Sequence, residues 1–201
     1  MADSPSNPAR RRFLTGAATA VGAVGVGFAA VPFLSSFQPS AKAQAAGAPV
    51  DVNIGKLSPG QMTTVAWRGK PVYVVHRTDR MLESLPEMDD RLSDPKSEVA
   101  SQTPSFAANT YRARENHERY LVVVGICTHL GCAPTYRPEV APDDLGDDWQ
   151  GGFFCPCHGS KFDISGRVYK GMPAPSNLEV PEYFYVDDSI VRVGATEEGV
   201  A

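Results

Sequence analysis

The sequence predicts a mostly β protein, an antiparallel β domain carried behind one N-terminal membrane-spanning helix. Three observations lead to that class. An uncharged run occupies residues 13–41. The remainder holds short runs of β-branched and aromatic residues without regular alternation of strands and helices, which argues against a parallel sheet. Gly 18 and Pro 17 are high for a helical bundle and suit a loop-rich β fold. The 201 residues leave room for one domain of about 150 plus an appendage. A hydrophobic share of 42% with 21% charged residues excludes a disordered tail and a polytopic membrane protein. The net charge of −4 argues against general nucleic-acid binding, and four cysteines are too few for a disulfide scaffold of this size.

The appendage comes first in the chain. Residues 1–43 carry +3 through Arg10, Arg11, Arg12 and Lys42 against Asp3, and the rest carries −7. A basic start joined to an acidic body suggests a membrane boundary between them. The apolar segment 14–37 has 24 residues. As a helix it is about 36 Å long, enough to cross a bilayer core of about 30 Å. The apolar region of a secretory signal is shorter, about 7–15 residues. The arginines ahead of the segment predict a cytoplasmic N-terminus and an external far end. Gly16, Gly22, Gly25 and Gly27 form helix poorly in water but let a neighbouring helix approach closely in lipid. Pro32 is expected to kink the outer end. The run Arg10-Arg11-Arg12-Phe13-Leu14-Thr15 resembles the twin-arginine export signal, with Ala9 where Ser or Thr is usual. Ala41-Lys42-Ala43 looks like a signal-peptidase site, yet the length of the apolar span favours an uncleaved anchor. The expected layout is a cytoplasmic 1–12 with the export signal, an anchor 13–37, a flexible hinge linker 38–50 and a head domain 51–201.

In the head, strands are expected at 62–67, 72–76, 120–126, 153–154, 168–169, 178–180, 183–186 and 190–193. Asp187-Asp188 reads as a hairpin turn, and helical turns are expected at 80–93 and 97–101, interrupted by Pro86 and Pro95.

All four cysteines fall in two clusters, Cys127-Thr128-His129-Leu130-Gly131-Cys132 and Cys155-Pro156-Cys157-His158-Gly159-Ser160. Each joins Cys and His within a turn shaped by Gly or Pro, which points to metal binding. The residues alone leave three sites open. Four of the six donors suit tetrahedral zinc. Four cysteines suit an iron–sulfur cluster that ignores both histidines. A mixed set divides cysteines and histidines between two irons.

The two boxes resemble those of the Rieske iron–sulfur protein of ubiquinol–cytochrome c reductase. The resemblance extends over nearly the whole chain, from export signal and anchor to linker and head. Ring-hydroxylating oxygenases also carry Rieske centres, but their boxes lack the second cysteine of each pair, so Cys132 and Cys157 favour the quinol-oxidising class. The resemblance implies an antiparallel Rieske-type β domain with a small cluster-binding subdomain at about 126–175, and one [2Fe–2S] cluster per chain. It implies Cys127 and Cys155 on one iron, His129 and His158 on the other, and a Cys132–Cys157 disulfide suited to an oxidising compartment. His129, His158 and Leu130 would meet the quinol, one imidazole taking its proton. Ser160 matches a serine that tunes the cluster through a hydrogen bond. Pro173, Ala174 and Pro175 match a loop covering the cluster. Implied partners are ubiquinol, cytochrome b and c-type cytochrome subunits in a dimeric complex, and the lipid bilayer. The implied location is a bacterial inner membrane with the head in the periplasm. An exported Rieske subunit of another kind, such as that of arsenite oxidase, is the alternative, separable by which chains co-purify.

Two positions depart from the family pattern. Phe162 stands where many members have a Tyr that donates to a cysteine sulfur, and Met172 is an extra residue in the covering loop. His76 and His117, outside the boxes, are expected to be structural or at the surface. Glu139, Asp143, Asp144, Asp147 and Asp148 are expected to form a solvated acidic loop.

Overall fold

The computed structural model describes residues 7–41, 43, 47–197, 199 and 200, the last by its backbone only. The first half of the predicted N-terminal segment, Lys42 of the cleavage-like site and 44–46 of the linker lie outside the described residues. The chain divides into two units, Met1–Ala45 and Ala46–Ala201.

In the first unit, Pro8–Ser35 form α1, which starts five residues before the predicted span. The reason is local. The Asn7 side-chain oxygen accepts from the amides of Ala9 and Arg10 at 3.0 and 3.3 Å, and Pro8 lacks the donor that a first helical position leaves unused. The arginines therefore lie inside the helix, at the end where cations oppose its dipole, so their value is in charge placement rather than helix stability. Thr15 and Thr19 donate to the carbonyls of Arg11 and Thr15, which satisfies both hydroxyls within the helix. No residue of α1 is buried against the described residues, and Phe13, Val21, Phe28 and Phe33 all stand exposed. Such an apolar surface suits lipid or a partner helix.

In the second unit the strands are β1 (Val50–Asn53), β2 (Met62–Trp67), β3 (Lys70–His76), β4 (Tyr120–Val124), β5 (Thr135–Arg137), β6 (Gly152–Phe154), β7 (Lys161–Asp163), β8 (Tyr183–Asp187) and β9 (Ile190–Val193). They form three antiparallel sheets ordered β1-β9-β8, β2-β3-β4 and β5-β6-β7. Two short strands, β10 (Ala195–Thr196) and β11 (Gly199–Val200), pair at the end. The β2–β3 turn places Arg68 and Gly69 at φ of 50° and 73°, the positive values a tight two-residue hairpin turn needs. Residues 72–75 and 121–124 are buried on both faces of their strands, none more than 7% exposed. Each buried valine there contributes about 1.5–3 kcal/mol, so this sheet is the firm base of the head.

The segment 80–93 divides as expected at Pro86, into α2 (Asp79–Ser84) and a 3₁₀ turn Pro86–Arg91. Other expectations are corrected. Residues 97–99 are irregular and 100–101 lie in a turn, so no helix forms there. Residues 168–169 make only isolated bridges, Val168 to Phe162 and Tyr169 to Leu92, and 178–180 lies outside any strand. The final hairpin turns at Asp188-Ser189, one residue later than read. The sequence reading places no strand at β1, β5, β7, β10 or β11.

Candidate metal centre

The two Cys/His boxes leave the small β5-β6-β7 sheet and the end of β4 as near-identical backbone turns. In the first, the Cys127 amide donates to the Cys132 carbonyl at 2.7 Å and the Gly131 amide to the Cys127 carbonyl at 3.0 Å. In the second, the Cys155 amide donates to the Ser160 carbonyl at 2.8 Å and the Gly159 amide to the Cys155 carbonyl at 3.0 Å. Gly131 and Gly159 occupy the same place in each turn with φ of 81° and 78°, a conformation that disfavours a side chain. Tyr73 on β3 supports this assembly from below. Its ring stacks on Phe153 at 5.9 Å and its hydroxyl donates to the Pro134 carbonyl at 3.0 Å. The Tyr136 hydroxyl donates to the Gly60 carbonyl at 2.8 Å, a second tie to the base.

Cys132 and Cys157 are joined in a disulfide, which links the two turns across 25 residues of sequence. Their sulfurs lie within 4.8 Å of that of Cys155, but being oxidised they are spent as thiolate donors. The free thiols are Cys127 and Cys155, both only 2% exposed. Burial pushes the Cys127 thiol up, and Cys155 adds to the shift against opposing hydrogen bonds from the His129 amide and Ser160. Metal coordination deprotonates such a thiol and releases the proton. The His129 and His158 rings meet nearly at right angles, with centroids 4.7 Å apart. His129 is half-buried and His158 exposed, and Leu130 beside them is 70% exposed. Two buried thiols and two imidazoles at the surface fit a mixed Cys₂His₂ centre, and the disulfide removes the four-cysteine option.

Around the donors the loop 171–177 is fastened by side chains. The Ala174 amide donates to Ser160 Oγ at 3.1 Å, and Thr128 Oγ1 donates to the Ser176 carbonyl at 2.7 Å. Asn177 accepts from the Val168 amide and donates to the Asp94 carbonyl, which fixes the loop's return. Ala174 is buried, while Pro173 and Pro175 are exposed. Met172 is half-buried and packs against the core. Phe162 is fully buried on β7 and offers no donor.

The remaining expectations concern charged and aromatic residues. His76 donates to the Leu57 carbonyl at 2.6 Å and packs on Tyr120, and His117 stacks on Tyr185 at 3.8 Å, so both are structural. In the acidic loop, Glu139 and Asp144 share Arg137, and Asp148 pairs with Arg91. Sequence reasoning missed the interior cations. Arg77, Arg112 and Arg167 are all fully buried. They converge on the turn after β7, where Arg77 donates to Ser165 Oγ, Arg112 to the Ser165 carbonyl and Arg167 to Asp163. Nothing in a single sequence separates a buried arginine from an exposed one.

Comparison with known proteins places this geometry. A family model described as "Rieske [2Fe-2S] domain" matches residues 94–183, and one described as "Ubiquitinol-cytochrome C reductase Fe-S subunit TAT signal" matches residues 1–40. The chain is 55% identical to the ubiquinol-cytochrome c reductase iron-sulfur subunit of Allochromatium vinosum over 188 residues, 94% of this chain and 89% of that relative. It is 43% identical to the subunit of the same name from Bradyrhizobium diazoefficiens over 194 residues, 96% of this chain and 98% of the relative. Among solved structures it resembles a chain of a "Hyperthermophilic respiratory Complex III" with 25% identity and a TM-score of 0.48, covering 88% of this chain and 98% of the other.

Proposed function

The chain belongs to the family of ubiquinol–cytochrome c reductase iron–sulfur subunits, and from that premise we propose that its head takes one electron from ubiquinol and passes it to a c-type cytochrome. The subunit is an electron-transfer component of the reductase with a Rieske [2Fe–2S] cluster as its cofactor. Cys127 and Cys155 hold one iron and His129 and His158 the other. The observation that carries this assignment is the pairing of two buried free thiols with two imidazoles at the surface.

When bound, the cluster supplies a one-electron acceptor and donor. The chain's own residues do the rest. Each imidazole would bind iron through one ring nitrogen and leave the other free at the surface, and one of the two would accept a hydrogen bond from the quinol hydroxyl and hold its proton. Leu130 offers an apolar contact next to that nitrogen. The Ser160 hydroxyl would donate to a bridging sulfide of the cluster, which favours the more negative reduced state. The proton thus has a basic atom to occupy, rather than an apolar pocket where a bare charge is costly.

The export signal and apolar α1 fit a membrane-anchored, exported head. Arg10, Arg11 and Arg12 keep the N-terminus on the cytoplasmic side of the bacterial inner membrane, and residues 38–50 tether the head in the periplasm. Cytochrome b and c-type cytochrome subunits complete a dimeric complex with it.

Cys127→Ser, His129→Ala, Cys155→Ser and His158→Ala are each expected to abolish the reduced-state paramagnetic resonance signal of the purified complex. A normal Rieske signal in any variant removes that residue from the ligand set. Protease added to intact spheroplasts is expected to remove the head, and its protection would reverse the orientation.

A further inference from the structure

Resting on the assignment of the four metal ligands, we propose that Arg112 is a positioning residue for the centre. Its buried guanidinium clasps both ends of the 166–178 loop and so holds residues 173–175 against the two Cys/His turns.

The argument begins with an unusual charge. Arg112 is fully buried, and every hydrogen-bond acceptor it has among the described residues is neutral. A positive charge in the interior is costly unless its donors are met; both Nη groups of Arg112 are met, while its buried Nε–H has no partner among the described residues. Nη1 donates to the carbonyls of Ser165 and Gly166 at 3.1 and 3.2 Å. Nη2 donates to the Leu178 carbonyl at 2.6 Å, to Thr103 Oγ1 at 3.0 Å and to the Gln102 carbonyl at 3.3 Å. Gly166 and Leu178 are also the neck of one loop, closed by the Leu178 amide donating to the Gly166 carbonyl at 2.8 Å. One planar fork therefore grips both strands of the neck. A lysine presents a compact ammonium and cannot reproduce that fork.

Two backbone features make room for the grip. A Cβ at Gly166 would lie 3.2 Å from Arg112 Nη1, and the φ of 74° there already disfavours a side chain. Arg112 itself sits at φ 51°, a left-handed conformation that a non-glycine residue keeps only where its surroundings over-determine it. At its far end the same loop bonds the metal turns directly, through Ala174 to Ser160 and Thr128 to Ser176. The path from Arg112 to the ligand turns thus runs through one loop fixed at neck and tip.

The test compares Arg112→Lys and Arg112→Met with the parent in the purified complex. Two measurements are made, hydrogen exchange by peptide and redox titration of the cluster followed by paramagnetic resonance. Losing hydrogen bonds from a charged donor should speed exchange of amides in 171–178 by about tenfold to a hundredfold. Residues 72–75 and 121–124 should keep parental rates, and the midpoint potential of the cluster-bearing molecules should shift. Acceleration spread equally into those base strands, or parental exchange and potential, would mean that Arg112 only fills the core and overturns the proposal. If neither variant folds, the unaltered complex decides. The Ala174 and Leu178 amides should exchange together in one opening event, and separate rates would overturn the clasp. A parent without a Rieske signal would refute the ligand assignment, while the exchange data still judge the clasp.

Discussion

One methyl group added at Gly125 should loosen the metal turns from their base. A Cβ at this position would lie 2.3 Å from Tyr73 Cζ and 2.5 Å from both Cε atoms. Carbon atoms in good contact sit about 3.5–4.0 Å apart, so the ring must retreat by more than about 1 Å. Neither side yields easily. The Gly125 amide is held by the Pro71 carbonyl at 2.8 Å, and Tyr73 is held by Pro134 and Phe153. Overpacking costs about 1–3 kcal/mol, a lost hydroxyl bond about 0.5–1.5 and a broken aromatic pair about 0.5–1.5. Gly125→Ala should therefore lose about 2–6 kcal/mol, and at about 2–4 °C per kcal/mol the melting temperature should fall by roughly 4–24 °C. The assay is thermal unfolding of the full-length chain in detergent, followed by circular dichroism. Tyr73→Phe, which removes only the hydroxyl, should lose about 1 kcal/mol. Tyr73→Leu should cost less in the Gly125→Ala background than alone, because the ring it removes is the one in collision. A Gly125→Ala melt within about 2 °C of the parent would refute the reasoning, since it would mean that the ring moves aside freely.

Three further outcomes follow from the geometry. Replacing Cys132 and Cys157 together by Ser should cost about 3–4 kcal/mol from the loop they close, measured by denaturant titration, while some cluster still assembles because the proposed ligand set includes neither residue. Phe162→Tyr should raise the potential by some tens of millivolts in voltammetry if the new hydroxyl reaches a cysteine sulfur, 1.4 kcal/mol being about 59 mV for one electron; an unchanged potential would show that it does not. Asp89 is the pH-sensitive contact. Burial lifts its carboxyl, but hydrogen bonds from Lys96 and Arg167 outweigh that and leave it below the ordinary range. Its stabilisation is thus complete above the unfolded value of about 3.9 and fades as the pH falls through the lower folded value. Asp89→Asn should therefore be less stable than the parent at neutral pH and converge with it in acid, and a constant difference across pH would count against the ion pair.

Much of the head was legible because its signals are dense. The valine-rich runs of β3 and β4 have too few polar residues to be anything but interior. The paired Cys/His boxes have a composition that chance does not supply. The misses have physical causes. Strands β5 and β7 are three residues long, less than two periods of alternation, and Lys161-Phe162-Asp163 reads as loop until Phe162 is seen facing the core. Residues 178–180 are apolar because they are buried, yet tertiary bonds replace a ladder: the Val124 amide donates to the Glu179 carbonyl and the Val180 amide to the Gln102 carbonyl. The fastenings of the 166–178 loop escaped notice because Thr128, Ser160 and Arg112 meet partners in it 14 to 66 residues away.

The two metal turns share one backbone but order their side chains differently. Histidine stands third in the first box and fourth in the second, and the disulfide joins the sixth residue of one to the third of the other. A duplicated turn filled with the same residues would approach two-fold symmetry and make its two imidazoles interchangeable. The one-residue offset breaks that equivalence, leaving His129 half-buried and His158 open. A molecule arriving from solvent therefore encounters two distinguishable faces. Among the four isotope-labelled histidines of the head, the His129 and His158 resonances should accordingly report two unlike environments rather than one averaged pair.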